Sequence, residues 1–131
     1  IRALHFQRVK QQPKLVRCIW GHVWDVVVDL RKDSPTFKQW LAFDLIGEKH
    51  NEILVPAGCA HGYLVLEDSI VSYKCGEKFY GEYDDGVMWN DPDLNVTWPL
   101  EKIGGEEHLI LADKDKNLQS FAKFMRNYGG F

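Results

Sequence analysis

The sequence predicts an all-β fold, a sandwich or barrel with a jelly roll as its leading form, closed by a single C-terminal helix. Short apolar/polar alternations with the period of a strand recur along most of the chain. Turn residues separate them at regular spacing. A helical period occurs only once, near the end. At 131 residues the chain makes one domain, residues 1–131, and 45% hydrophobic with 13% aromatic content supplies its core.

Ile1 to Gln7 alternates, with Leu4 and Phe6 on one face and Ala3, His5 and Gln7 on the other; Arg2 sits at the mouth of this strand. Arg8 to Pro13 is a polar loop. Lys14 to Trp20 is a second strand, Gly21 a tight turn, and the Val- and Trp-rich His22 to Leu30 a third. After a loop at Arg31 to Pro35, Thr36 to Ile46 carries the next strand. Ile53 to Val55 stops at Pro56 and Gly58. His61 to Glu67 then alternates, placing His61, Tyr63 and Val65 on one face. Glu67 to Ser69 turns the chain, and Ile70 to Cys75 returns with Val71, Tyr73 and Cys75 aligned. Gly76 to Gly86 reads as a surface loop, Val87 to Trp89 as a short strand, and Asn90 to Glu107 largely as turns. The helix spans about Asn117 to Tyr128, with Leu118, Phe121, Phe124 or Met125, and Tyr128 as its apolar stripe and Gly129 as its stop.

A net charge of −3, with both signs mixed along the chain, argues against nucleic acid or an anionic membrane as the main partner, yet accommodates a small anionic ligand. Cys18, Cys59 and Cys75 are odd in number and form no CxxC, which fits free thiols in a reducing, cytoplasmic setting. No signal peptide or membrane-length apolar run is present. The opening at Ile1, already strand-like, suggests a start inside a longer polypeptide.

The polar side chains that interrupt the strands are Arg2, His5, Gln7, Lys14, Arg17, His61, Tyr73 and Lys74, with Asp113-Lys114-Asp115 following late. A histidine with a carboxylate behind it, a tyrosine opposite and a nearby lysine would form a base, an orienter, an acid and an enolate-stabilising cation. That set suits abstraction of a proton next to a carbonyl. A hydrogen-bonded core pair is the plainer reading of His61 and Tyr73. His5, Gln7 and His61 are the alternative, as ligands of a divalent ion, but the second position of an H-x-H motif is Gln7 and no acid follows it. Asp25 and Asp29 read as a solvated or salt-bridged strand face.

The segments IRALHFQ, PKLVRCIWGHVWDVVVDLRKDSPTF, ILVPAGCAHGYLVL, SYKC, MWNDPDLNVTWPL and LADKD, in this order, resemble the dTDP-4-dehydrorhamnose 3,5-epimerase family. The resemblance implies a cupin-like jelly roll without metal or other cofactor, acting as a homodimer on a nucleotide-linked 4-keto-6-deoxysugar. By position it implies His5 as the base, Asp115 as its partner and Tyr73 as the acid. Lys14 would steady the enolate, Arg2 would contact the diphosphate, and His61 would lie near the sugar. Gln7 and Lys114 complete the expected substrate-binding set. Ala3 replaces the family's usual glycine, and Lys78 and Phe79 stand where a Tyr-Tyr pair is common, at the thymine end. The family's N-terminal segment, which helps build the nucleotide pocket, is expected to be missing ahead of Ile1.

Overall fold

The computed structural model describes all 131 residues. Eight strands form: β1 (Arg2–Gln7), β2 (Lys14–Trp20), β3 (His22–Asp29), β4 (Trp40–Ile46), β5 (Glu52–Val55), β6 (Cys59–Val65), β7 (Ile70–Cys75) and β8 (Asp84–Gly86). Two helical segments follow, α1 (Asp113–Lys116) and α2 (Phe121–Tyr128). The strands make a five-stranded sheet in the order β4-β3-β6-β1-β8 and a three-stranded sheet in the order β5-β2-β7. Every pairing is antiparallel, which is the two-layer arrangement of a jelly roll.

The large sheet is covered on both faces. Its inner face meets the small sheet through Val16, Cys18, Val23, Leu45, Val55 and Cys59. Its outer face is covered by the C-terminal third of the chain, where Leu4, Phe6, Val26 and Leu64 pack with Trp98, Phe121 and Phe124. Double coverage explains why β1 is buried from Ala3 to Gln7 and shows no solvent face. Two glycines permit close approaches. Gly21 turns β2 into β3 at φ +87°, and a Cβ at Gly62 would lie 2.5 Å from the Ala3 Cβ, so β1 and β6 meet there only because the side chain is a hydrogen.

Three elements differ from the sequence reading. The fourth strand starts at Trp40 rather than Thr36, because the Ser34 and Thr36 hydroxyls donate to the Asp29 carboxylate and fold that stretch into turns. The last strand is Asp84–Gly86, upstream of the apolar Val87-Met88-Trp89. It pairs through the main chain with β1, while Val87 and Trp89 fill the core behind it. The helix shortens to Phe121–Tyr128, where the Ser120 hydroxyl accepts from the Lys123 N–H as an N-cap. Asp113–Lys116 forms its own turn of helix.

Candidate active site

The inner face of the large sheet carries two histidines side by side. His5 on β1 and His61 on β6 are direct cross-strand partners, so their side chains leave the sheet on the same face, with Cβ atoms about 4.5–5.5 Å apart. Lys14 and Tyr73 look back from the small sheet. Lys14 is opposite Cys75 and Val16 opposite Tyr73 on paired strands, and Val16 and Tyr73 both belong to the packing between the sheets.

His5 is 4% exposed, and its Nε2 lies 2.5 Å from Oδ1 of Asp115, which α1 brings in from 110 residues away. Its Nδ1 is buried and has no hydrogen-bond partner. A protonated Nε2 donating to the carboxylate leaves Nδ1 with a free lone pair, the form a general base needs. Burial lowers the imidazole's pKa first, and Arg2 and Lys114 lower it further. The Asp115 charge and hydrogen bond oppose them without reversing the direction. The ring is therefore neutral at pH 7.

His61 is held by Asp25 on β3, its Nε2 lying 2.8 Å from Oδ2 and 3.0 Å from Oδ1. Asp25 and Asp29 are both buried, which corrects the solvated reading of that face; the salt-bridged alternative holds for Asp29, which is bound by Arg31. Burial raises the Asp25 pKa, and the His61 hydrogen bond counters it only in part. The His61 ring stands edge-on to Tyr73, with centroids 6.1 Å apart at 86°. The Tyr73 hydroxyl donates to the Tyr63 hydroxyl at 3.0 Å. Burial, then that bond, pushes the phenol's pKa well up, and Arg2 pulls it back. The Lys14 pKa is lowered, by burial first and also by Arg2, against the pull of Cys75, Asp84 and Asp25.

A cavity of about 150 Å³ opens at this site, lined by Arg2, Gln12, Lys14, Tyr73, Cys75 and Phe79. A larger groove of about 780 Å³ lies by the β2–β3 turn, but it is lined by none of these groups. Its histidines, His22 and His50, are tied to Asp44 and Arg17. Arg2, Lys14 and Tyr73 thus share one cavity; His5 and His61 are paired on the inner sheet face, Asp115 reaches His5 from α1, and none of these three lines that cavity. Gln7 does not line this cavity, and its amide is committed to main-chain partners. Lys114 is half exposed and ion-paired to Asp84. Sequence reasoning missed the buried role of Asp25; its signal was an acid in mid-strand among valines. No group of three His, Cys, Asp or Glu side chains converges as a divalent ion requires.

Comparison with known proteins adds a family. A family profile described as dTDP-4-dehydrorhamnose 3,5-epimerase matches residues 1–123. A dTDP-4-dehydrorhamnose 3,5-epimerase of Methanothermobacter thermautotrophicus is 49% identical over 118 residues, covering 89% of this chain and 62% of the relative. The crystal structure of the enzyme of that name from Elizabethkingia anophelis superposes with a TM-score of 0.87 at 40% identity, covering 93% of this chain and 66% of the other. The Legionella pneumophila dTDP-6-deoxy-D-glucose-3,5-epimerase, solved in complex with dTDP-4-keto-L-rhamnose, gives a TM-score of 0.83 at 37% identity, covering 91% of this chain and 61% of the other. The chain therefore spans less than two thirds of the length of these three relatives.

Proposed function

The chain belongs to the dTDP-4-dehydrorhamnose 3,5-epimerase family, and we propose that its inter-sheet pocket inverts C3 and C5 of dTDP-4-dehydro-6-deoxy-D-glucose to give dTDP-4-dehydro-L-rhamnose. One observation carries the reading. A buried imidazole has one nitrogen held by a carboxylate and the other bare, and its cross-strand neighbour His61 stands edge-on to the Tyr73 phenol.

Both protons to be removed lie next to the C4 carbonyl. His5 Nδ1 takes the proton, the C–H electron pair becomes a C=C bond, and the carbonyl electrons move to O4. Lys14 donates to that oxyanion. Tyr73, on the opposite sheet, gives its O–H proton to the other face of the same carbon as the carbonyl re-forms. The tyrosinate and imidazolium left behind exchange protons with water before the second centre reacts. Arg2 meets the diphosphate, and His61 and Lys114 border the sugar. The high Tyr73 pKa keeps the phenol protonated until an enolate can accept the proton. Each acid–base group contributes roughly 10²–10⁴-fold. The cavity is smaller than the roughly 300–1,000 Å³ of sites that enclose a whole ligand, so it encloses the sugar and leaves the nucleotide at the mouth.

Two finer statements belong to the same reading. The protein acts as a homodimer, for which exposed Trp20, Leu41, Leu54 and Ile70 offer apolar strand surface. Three free cysteines and a nucleotide-sugar substrate suit the cytoplasm; no helix is long and apolar enough to cross a membrane. Proton NMR of the 4-keto substrate in D2O tests the reaction, with enzyme-dependent exchange expected at both C3 and C5. Exchange at one centre alone would mark a single-position epimerase, and exchange at neither would end the proposal.

A further inference from the structure

Gln7 is 4% exposed and turns its whole amide toward the main chain. Its Nε2 donates to the Lys10 carbonyl at 2.7 Å and to the Lys78 carbonyl at 3.1 Å. Its Oε1 accepts from the Tyr80 N–H at 2.9 Å. The last two partners flank Phe79, so one side chain grips the backbone immediately before and after that residue. The Phe79 ring lines the cavity yet is 69% exposed, and packing alone does not fix it. Neighbouring bonds brace the same loop: Gln12 Nε2 donates to the Glu77 carbonyl, and the Gly76 N–H donates to the Pro13 carbonyl, both at 2.9 Å.

We propose that Gln7 is a positioning residue that fixes the aromatic wall at the mouth of the pocket, acting on bound ligand through Phe79. Gln7 lies two residues from His5 on β1. The strand that carries the base therefore also anchors the wall, and β1 sets the spacing between the reacting carbon and the ligand's distal, planar end. An amide whose donors and acceptor are already used has little left to offer a ligand directly. Loss of these bonds leaves buried main-chain groups unpaired and frees the wall, while the base, its carboxylate and the phenol stay in place.

The proposal rests on the epimerase reading for its kinetic arm but not for its binding arm. The test compares wild type, Gln7→Met, which keeps the volume and removes the polar atoms, Phe79→Ala, and the double variant. Gln7→Met is expected to raise KM for dTDP-4-dehydro-6-deoxy-D-glucose about tenfold with kcat within about twofold, the signature of lost uniform binding. It should weaken dTDP binding by calorimetry by a similar factor and speed hydrogen exchange at the Tyr80 amide. In the Phe79→Ala background the same change should add no more than about twofold, because coupled residues are not additive. A fall in kcat at unchanged KM would overturn the proposal. So would an equal loss in both backgrounds, which marks a direct ligand contact, or a Tyr80 amide as protected as before. Should wild type fail to exchange C3 and C5, the epimerase reading falls, and dTDP binding together with amide exchange still decides the clamp.

Discussion

The two histidine–carboxylate pairs face the same gap from neighbouring strands and use the same ring nitrogen, yet they are built differently. Asp115 touches His5 through one oxygen and comes from a short helix far along the chain. Asp25 offers both oxygens to His61 from the adjacent strand of the same sheet. The His5 pKa is lowered, and its second nitrogen is bare. The Asp25 pKa is raised, and the His61 ring packs against Tyr63 and Tyr73. A base needs an open lone pair and a proton affinity matched to the working pH; a strut needs two-point attachment and walls. On the proposed reading the first pair would move protons and the second would hold the surroundings of Tyr73 in place.

This contrast can be broken experimentally, and removal of the base is the harshest trial. His5→Asn should lower kcat on the order of 10²–10⁴-fold and abolish solvent exchange at both carbons, as measured by NMR in D2O. Tyr73→Phe should lose inversion by a comparable or smaller factor while His5 still exchanges the proton on its own face. Deuterium would then enter with retained configuration. Exchange lost at every position would place the phenol on the same face as the base and remove the two-sided arrangement.

The carboxylates give the sharpest discrimination. Asp115→Asn should cut kcat by roughly 10²-fold, within the range for acid–base groups, at nearly unchanged melting temperature. Asp25→Ala leaves the buried His61 imidazole without its hydrogen-bond partner and should cost about 1–3 kcal/mol of stability by denaturant titration, with the smaller effect on kcat. Matching kinetic losses, with matching stabilities, would erase the distinction between the pairs. The mildest test is pH. Because the His5 pKa is lowered, protonation silences the base only below the ordinary imidazole value of about 6.5. The acid limb of kcat/KM should therefore lie below that value.

Much of this layout was legible in the chain. The bounds of β2 and β7 agree with the sequence reading because alternation ends abruptly at turn residues there. β8 was misplaced because its pairing runs through the main chain of Asp84, Asp85 and Gly86, whereas the nearby apolar triplet owes its character to core packing. Alternation showed which way Asp25 points but not that a second sheet covers that face. The link between His5 and Asp115 spans 110 residues and has no local pattern; family resemblance alone suggested it. Gln7 was legible as a polar residue in a buried strand, but its partners are carbonyls and an N–H, which carry no sequence signal.

The crowding of Arg2 and Lys14 around one small cavity has a thermodynamic outcome. Burial and mutual repulsion depress the ammonium's hold on its proton in the empty protein. A diphosphate bound beside these cations, as proposed, would oppose both the repulsion and the cost of burying charge, and so would raise the lysine's proton affinity.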